Sequence, residues 1–126
     1  DKNGKGDVYT AKTETTFDLP LAVLINGNTA SASEVFSGAI KDYEMGELVG
    51  TTSFGKGIVQ SVIPLKDGTA IKITTSKYYT PSGKNIHGTG IDPDVKVELD
   101  TEGKSDNQYK EAMRLVKAQV KKAKEK

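Results

Sequence analysis

The 126-residue sequence predicts an α/β domain, a mixed β-sheet with flanking helices. Three stretches carry that prediction. "LPLAVLIN" is a short, almost continuous apolar run, the pattern of a strand buried on both faces in a helix-covered parallel sheet. "SASEVFSGAIKDYE" repeats Val35, Phe36, Ala39, Ile40 and Tyr43 at helical spacing. "IVQSVIPL", the turn "KDG" and "TAIKITTSKYYT" form the pattern of a β-hairpin.

In chain order, Asp1–Gly6 read as a turn or frayed end, and "DVYTAKTETTF", rich in Thr, Val and Tyr, as a strand. The apolar strand ends at Asn26-Gly27-Asn28, and a helix from about Ser31 to Glu44 follows, with Gly46 placed to end it. "ELVG" is a short strand, "GTTSFGKG" a loop, and the hairpin comes next. "PSGKNIHGTGIDPDV" is a Pro/Gly loop leading to a short strand at Val95–Leu99. The last segment puts Tyr109, Ala112, Met113, Val116 and Val120 on one stripe of an amphipathic helix. The length suits a single domain spanning residues 1–126.

Composition removes several kinds of chemistry. With no Cys and one His there is no thiol nucleophile, no disulfide and no Cys/His zinc cluster. No carboxylate cluster has loop-like ligand spacing, which leaves a metal site built from carboxylates alone open but unsupported. No apolar run approaches membrane-spanning length. From Asp106 to Lys126 seven basic residues face three acidic ones, which reads as a solvated lysine-rich helix face. Arg and aromatics are scarce there, so nucleic acid is not an expected partner.

"GTTSFGKG" fits the spacing of a phosphate-binding loop except at its last position, where Gly57 stands in place of the magnesium-binding hydroxyl. The following "IVQSVIPL" is β-branched and holds Pro64, so the helix that would aim its amides at phosphate is missing. Lys56 is then either a surface turn lysine or a reactive amine. Its flanking glycines let its backbone approach other chain segments closely.

Ser31-Ala32-Ser33-Glu34 is a capping-box pattern, and a helix cap accounts for Ser31 without any chemistry. The same serine also stands where a buried strand turns into a helix. Ala30 and Ala32 are small there, and the Ala32 N–H and the positive helix end would face a developing oxyanion. A nucleophilic serine needs a base. His87, oriented by Asp92 or Asp94, is one option; Lys56 is the other. Lys56 would have to be neutral, its pKa lowered from ~10.4 toward ~7 by an apolar pocket, for which Phe54, Ile58 and Val59 are candidate walls.

Four ordered motifs, "TASASE", "FGKGIVQ", "YYTPSGKNI" and "GIDPD", spread over roughly Leu19–Val97, resemble the catalytic core of the C-terminal processing peptidases, or tail-specific proteases. The resemblance implies a ClpP/crotonase-like core and a Ser–Lys dyad that requires neither a metal nor a cofactor. The nucleophile falls on Ser31, the general base on Lys56 and the lysine-orienting residue on Gln60. One oxyanion donor falls on the Ala32 N–H, and His87 becomes a bystander. For Gln60 to reach Lys56, residues 56–60 must turn, so the following strand is expected to start no earlier than Val59.

The family's core also has an upstream strand and turn supplying a second oxyanion donor, and a PDZ domain that captures substrate C-termini. The chain is therefore expected to be a C-terminal piece of a longer peptidase, weakly active or inactive alone, since one lost donor removes ~10²–10³ in turnover. Partners implied are polypeptides bound in extended form, a PDZ domain in the parent chain, and a second copy of the chain in a homo-oligomer. The implied compartment is extracytoplasmic. The competing expectation is a non-catalytic peptide-binding or assembly module in which Ser31 only caps its helix.

Overall fold

The structure is a computed structural model that describes residues 10, 12, 17–103 and 105–125. The strand expected from "DVYTAKTETTF" lies almost wholly outside the described residues. The elements are β1 (Ala22–Ile25), α1 (Ala32–Asp42), β2 (Glu47–Gly50), β3 (Ile58–Pro64), β4 (Ala70–Lys77), β5 (Val95–Lys96) and α2 (Asn107–Lys124).

The parallel and antiparallel parts form two separate sheets. β1, β2 and β5 make a parallel sheet in the order β1-β2-β5, with Ala22 opposite Glu47 and Val49 opposite Val95. β3 and β4 form an antiparallel hairpin of their own, from Ile58 opposite Lys77 to Pro64 opposite Ala70. The core belongs to the parallel half, where Ile25, Leu48, Ile86 and Ile91 are buried together and Val23, Ile40 and Tyr78 pack against them. β1 is not buried on both faces as expected: Leu24 is exposed on the side away from Ile25.

α1 begins one residue after Ser31 and ends before Gly46. The chain is stopped by Glu44, a non-glycine in the left-handed region (φ 53°), with Met45 N–H bonded back to the Ile40 carbonyl at 2.9 Å. Gly46 serves packing instead, because a Cβ there would stand 2.7 Å from the Leu21 carbonyl oxygen. In α2 the Asp106 side chain caps Tyr109 N–H, and of the expected stripe Ala112 is buried and Met113, Val116 and Val120 are half-buried. Tyr109, its first member, is exposed, and Gln108 is buried in its place. The Gln108 amide sets the rotation by donating to the Val97 carbonyl at 2.7 Å.

Candidate active site

β1 runs out at Ile25 into a compact turn. Asn26 Oδ1 accepts from Asn28 N–H (2.9 Å), and Thr29 N–H bonds to the Asn26 carbonyl (2.8 Å). The chain then reaches Ser31 with φ 57° and ψ −118°, a backbone state that a serine adopts only at a cost. A strained serine between a strand and a helix is the geometry of a nucleophile elbow, reached here without the G-x-S-x-G sequence. Ser31 is exposed. Ala32 N–H, the first amide of α1, makes no hydrogen bond among the described residues.

The expected capping box is present, and the Glu34 N–H also lies on the Ser31 main-chain carbonyl at 2.9 Å. The return arm is made: Ser31 N–H donates to Glu34 Oε2 at 3.0 Å.

That carboxylate does much more than close the box. Glu34 is fully buried and accepts three further hydrogen bonds from residues far along the chain. Lys56 N–H donates to Oε2 (2.8 Å), while Gly55 N–H (2.7 Å) and the Ser53 hydroxyl (2.6 Å) donate to Oε1. Burial by itself would push the Glu34 carboxyl up. The bonds from the Ser53 hydroxyl and the Lys56, Gly55 and Ser31 amides outweigh it and hold the group below its ordinary range. Ser31 N–H and Lys56 N–H share one oxygen, so the two backbones lie within about 6 Å of each other. Glu34 is the site residue that sequence reasoning missed: the local cap explained it fully, and nothing in the sequence pointed to its three distant donors.

The loop between β2 and β3 brings Lys56 to this place by two devices. Its first part prolongs the parallel ladder, with Thr51 N–H on the Ile25 carbonyl (3.0 Å) and Phe54 N–H on the Thr29 carbonyl (2.9 Å). Its second part lies on the segment Ile86–Gly90. Gly88 N–H reaches the Gly55 carbonyl at 2.9 Å, and a Cβ at Gly57 would come within 2.8 Å of His87 N. The glycines beside Lys56 therefore permit close backbone approach, as the sequence suggested, and the segment they approach is "IHGTG".

Two expectations about Lys56 are corrected. Phe54 and Val59 do not wall it in: they are 64% and 52% exposed, because the glycines, not these side chains, face the protein. Lys56 itself is half-buried. Gln60 is not on the lysine either. β3 starts at Ile58, one residue earlier than expected, because Tyr78 N–H on the Gly57 carbonyl (2.8 Å) and the Ile58–Lys77 pair extend the ladder. The ladder is irregular between Val59 and Gln60, and the Gln60 amide donates to Thr74 Oγ1 at 3.3 Å. Among the described residues no hydrogen bond joins the Ser31 hydroxyl to the Lys56 amine; their backbones are what the structure brings together.

The histidine alternative loses its acid. Asp94 accepts from Leu48 N–H (2.8 Å) and Lys41 Nζ (2.7 Å), and Asp92 accepts from the Thr52 hydroxyl (2.7 Å). "GIDPD" is thus a staple that ties α1, β2 and the Lys56 loop together. His87 is exposed with neither carboxylate on it.

Comparison with known proteins agrees with this architecture. The sequence model of Peptidase family S41 matches residues 1–97, further upstream than the motifs alone reach. The chain belongs to peptidase family S41. It is 53% identical over 83 residues to a carboxy-terminal-processing protease of Bartonella bacilliformis, covering 66% of this chain and 19% of that protein. It is 41% identical over 121 residues to a carboxyl-terminal-processing protease of Synechocystis sp., covering 91% of this chain and 28% of that protein. Among solved structures, the photosystem II D1 C-terminal processing protease superposes with a TM-score of 0.59 at 47% identity, over 63% of this chain and 20% of that one. The S41 chain described here therefore spans less than a third of the length of these relatives.

Proposed function

We propose that this chain carries the nucleophile and base of a serine-type endopeptidase that processes polypeptides near their C-termini. The observation that carries the proposal is the shared Glu34 oxygen, which binds the Ser31 and Lys56 backbones side by side although 25 residues separate them in the sequence. A turn lysine and a helix cap have no reason to be registered to one another. A nucleophile and its base must be.

In the proposed reaction Ser31 Oγ attacks a peptide carbonyl carbon while the Lys56 amine takes the hydroxyl proton. Negative charge develops on the carbonyl oxygen beside the open Ala32 N–H and the positive end of α1. Collapse breaks the C–N bond, the leaving amine takes the proton from Lys56, and an ester on Ser31 remains. Water, deprotonated by Lys56, then adds to the ester carbonyl; the C–Oγ bond breaks, Ser31 Oγ takes the proton back from Lys56, and the acid leaves. In this scheme the side-chain contact between Ser31 and Lys56 tightens when substrate is bound. For Gln60 to orient Lys56 its amide would have to leave Thr74. The whole protein's substrates, its extended mode of binding, a PDZ partner domain and an extracytoplasmic setting belong to the same proposal and rest on the family resemblance.

The test is turnover of an unstructured protein by the full-length enzyme. Ser31→Ala and Lys56→Ala are each expected to lower kcat by about 10⁴-fold or more, with His87→Ala unchanged. Activity lost in His87→Ala and kept in Lys56→Ala would overturn the dyad.

A further inference from the structure

We infer that Ser53 is a positioning residue for the proposed peptide hydrolysis: its buried hydroxyl orients the Glu34 carboxylate so that Oε2 holds Ser31 and Lys56 in register. The inference rests on the Ser31–Lys56 reading but concerns a residue outside the family motifs named above.

The direction of the hydroxyl proton is fixed by its surroundings. Ser53 is buried, and its Oγ accepts a hydrogen bond from Ile91 N–H at 2.8 Å. An oxygen already accepting there directs its own proton elsewhere, and the one acceptor described for it is Glu34 Oε1 at 2.6 Å. The backbone of Ser53 is tied down independently, with its N–H on the Ile91 carbonyl at 3.0 Å. Ser53 thus has a fixed main chain, a fixed acceptor role and a fixed donor role.

A carboxylate held on one oxygen by a rigid donor cannot swivel about its terminal bond. Gly55 N–H, from a loop bonded to Gly88, meets the same oxygen from the main chain. The Ser53 hydroxyl is anchored through Ile91, so it adds a second fixed direction on that oxygen. The consequence appears on the other oxygen, where the Ser31 and Lys56 amides meet. The chain of cause runs from the Ile91 backbone through Ser53 Oγ to Glu34, and from there to both reacting groups. Nothing in it touches substrate, so the effect falls on the chemical step.

The experiment compares Ser53→Ala, Ser53→Thr and Ser37→Ala in the full-length enzyme, each measured for kcat, KM and melting temperature. Ser37 is a control hydroxyl on α1, also buried and with no hydrogen bond to Glu34 among the described residues. Ser53→Ala is expected to lower kcat by about 10²-fold with KM within about twofold, the penalty of a misplaced reacting pair. Ser53→Thr, which keeps the hydroxyl, is expected to recover most of kcat. Ser37→Ala is expected to change the melting temperature without changing kcat. Wild-type kcat in Ser53→Ala, or a fall equal to that of Ser37→Ala at matched melting temperature, would overturn the role. If Ser31→Ala and Lys56→Ala themselves kept full activity, the dyad reading would fail instead, so the two failures are distinct.

Discussion

The parallel-sheet half and the β3–β4 hairpin are built from similar β-rich sequence, yet they are held in opposite ways. In the parallel half Leu48 and Val49 are completely buried, and a charged Glu34 is buried with them because four donors surround it. In the hairpin every residue of β4 is exposed, and Val62, Ile63, Ile71 and Ile73 present apolar surface to solvent. All the groups proposed for chemistry, except Gln60, sit on the first half or on the loop pinned to it. Rigid placement and an exposed apolar ribbon are thus separated in the chain at Gly57, one residue after the lysine. The comparison teaches that the same substitution should have different consequences on the two sides of that glycine.

The largest difference is expected at Glu34. Glu34→Gln keeps the shape but leaves a single acceptor oxygen among four donors and turns an NH2 group toward at least one of them. A loss of about 3–5 kcal/mol is expected in urea unfolding of the full-length protein, since buried donors are left unpaired. The same site fixes a pH dependence. The Glu34 carboxyl lies below its ordinary value of 4.5 in the folded state, so the unfolded chain binds the proton more readily. Its stabilisation is complete above that ordinary value and is lost as the pH falls through the lowered one. The acid limb of the stability–pH curve should therefore flatten in Glu34→Gln, and an unchanged limb would show that the carboxylate is not what holds the site.

A pair of glycines gives a sharper contrast because their backbones match. Gly55 (φ 87°) and Gly68 (φ 85°) would impose nearly equal strain on an alanine, about 1–2 kcal/mol. Their surroundings differ. A Cβ at Gly55 would meet Gly90 N at 2.9 Å and the Ile86 carbonyl oxygen at 3.1 Å, whereas at Gly68 nothing lies within 4 Å. Gly68→Ala should cost only the backbone strain and leave kcat alone. Gly55→Ala should cost about 1–3 kcal/mol more, the range for overpacking, and should lower kcat by displacing Lys56. Equal melting temperatures for the two variants would break the comparison.

How much of this was legible in the sequence follows the range of the interactions involved. α1, β2 and the hairpin were readable because periodicity and turn residues are local signals. The proximity of Ser31 and Lys56 was legible only through the family motifs. Glu34 was legible as a cap at three residues' distance and illegible as a hub, since Ser53, Gly55 and Lys56 lie 19 to 22 residues further on. The freedom of the glycines around Lys56 could be read, but not the identity of the segment they meet. The stripe of α2 was legible except at its first turn, where the Gln108 amide, bonded to the Val97 carbonyl outside the helix, is buried and Tyr109 is not. The start of β3 was missed by one residue because the bond from Tyr78 N–H to the Gly57 carbonyl, which extends the ladder, comes from a distant segment.

The smallest effect is expected in the hairpin, and it is informative because the residue types are the same as in the core. Leu48→Ala removes a side chain that is 0% exposed and leaves a cavity between β1 and the Ile86–Ile91 segment, for a loss of about 2–5 kcal/mol. Val62→Ala trims a side chain that is 64% exposed, so the surface returned to water is small and a change of no more than about 0.5 kcal/mol is expected. Both follow from unfolding of the same full-length protein, with substrate turnover as a second readout. If Val62→Ala instead costs as much as Leu48→Ala, the apolar ribbon is covered in the complete protein. The hairpin would then owe its stability to that cover, and the boundary at Gly57 would separate two packed regions.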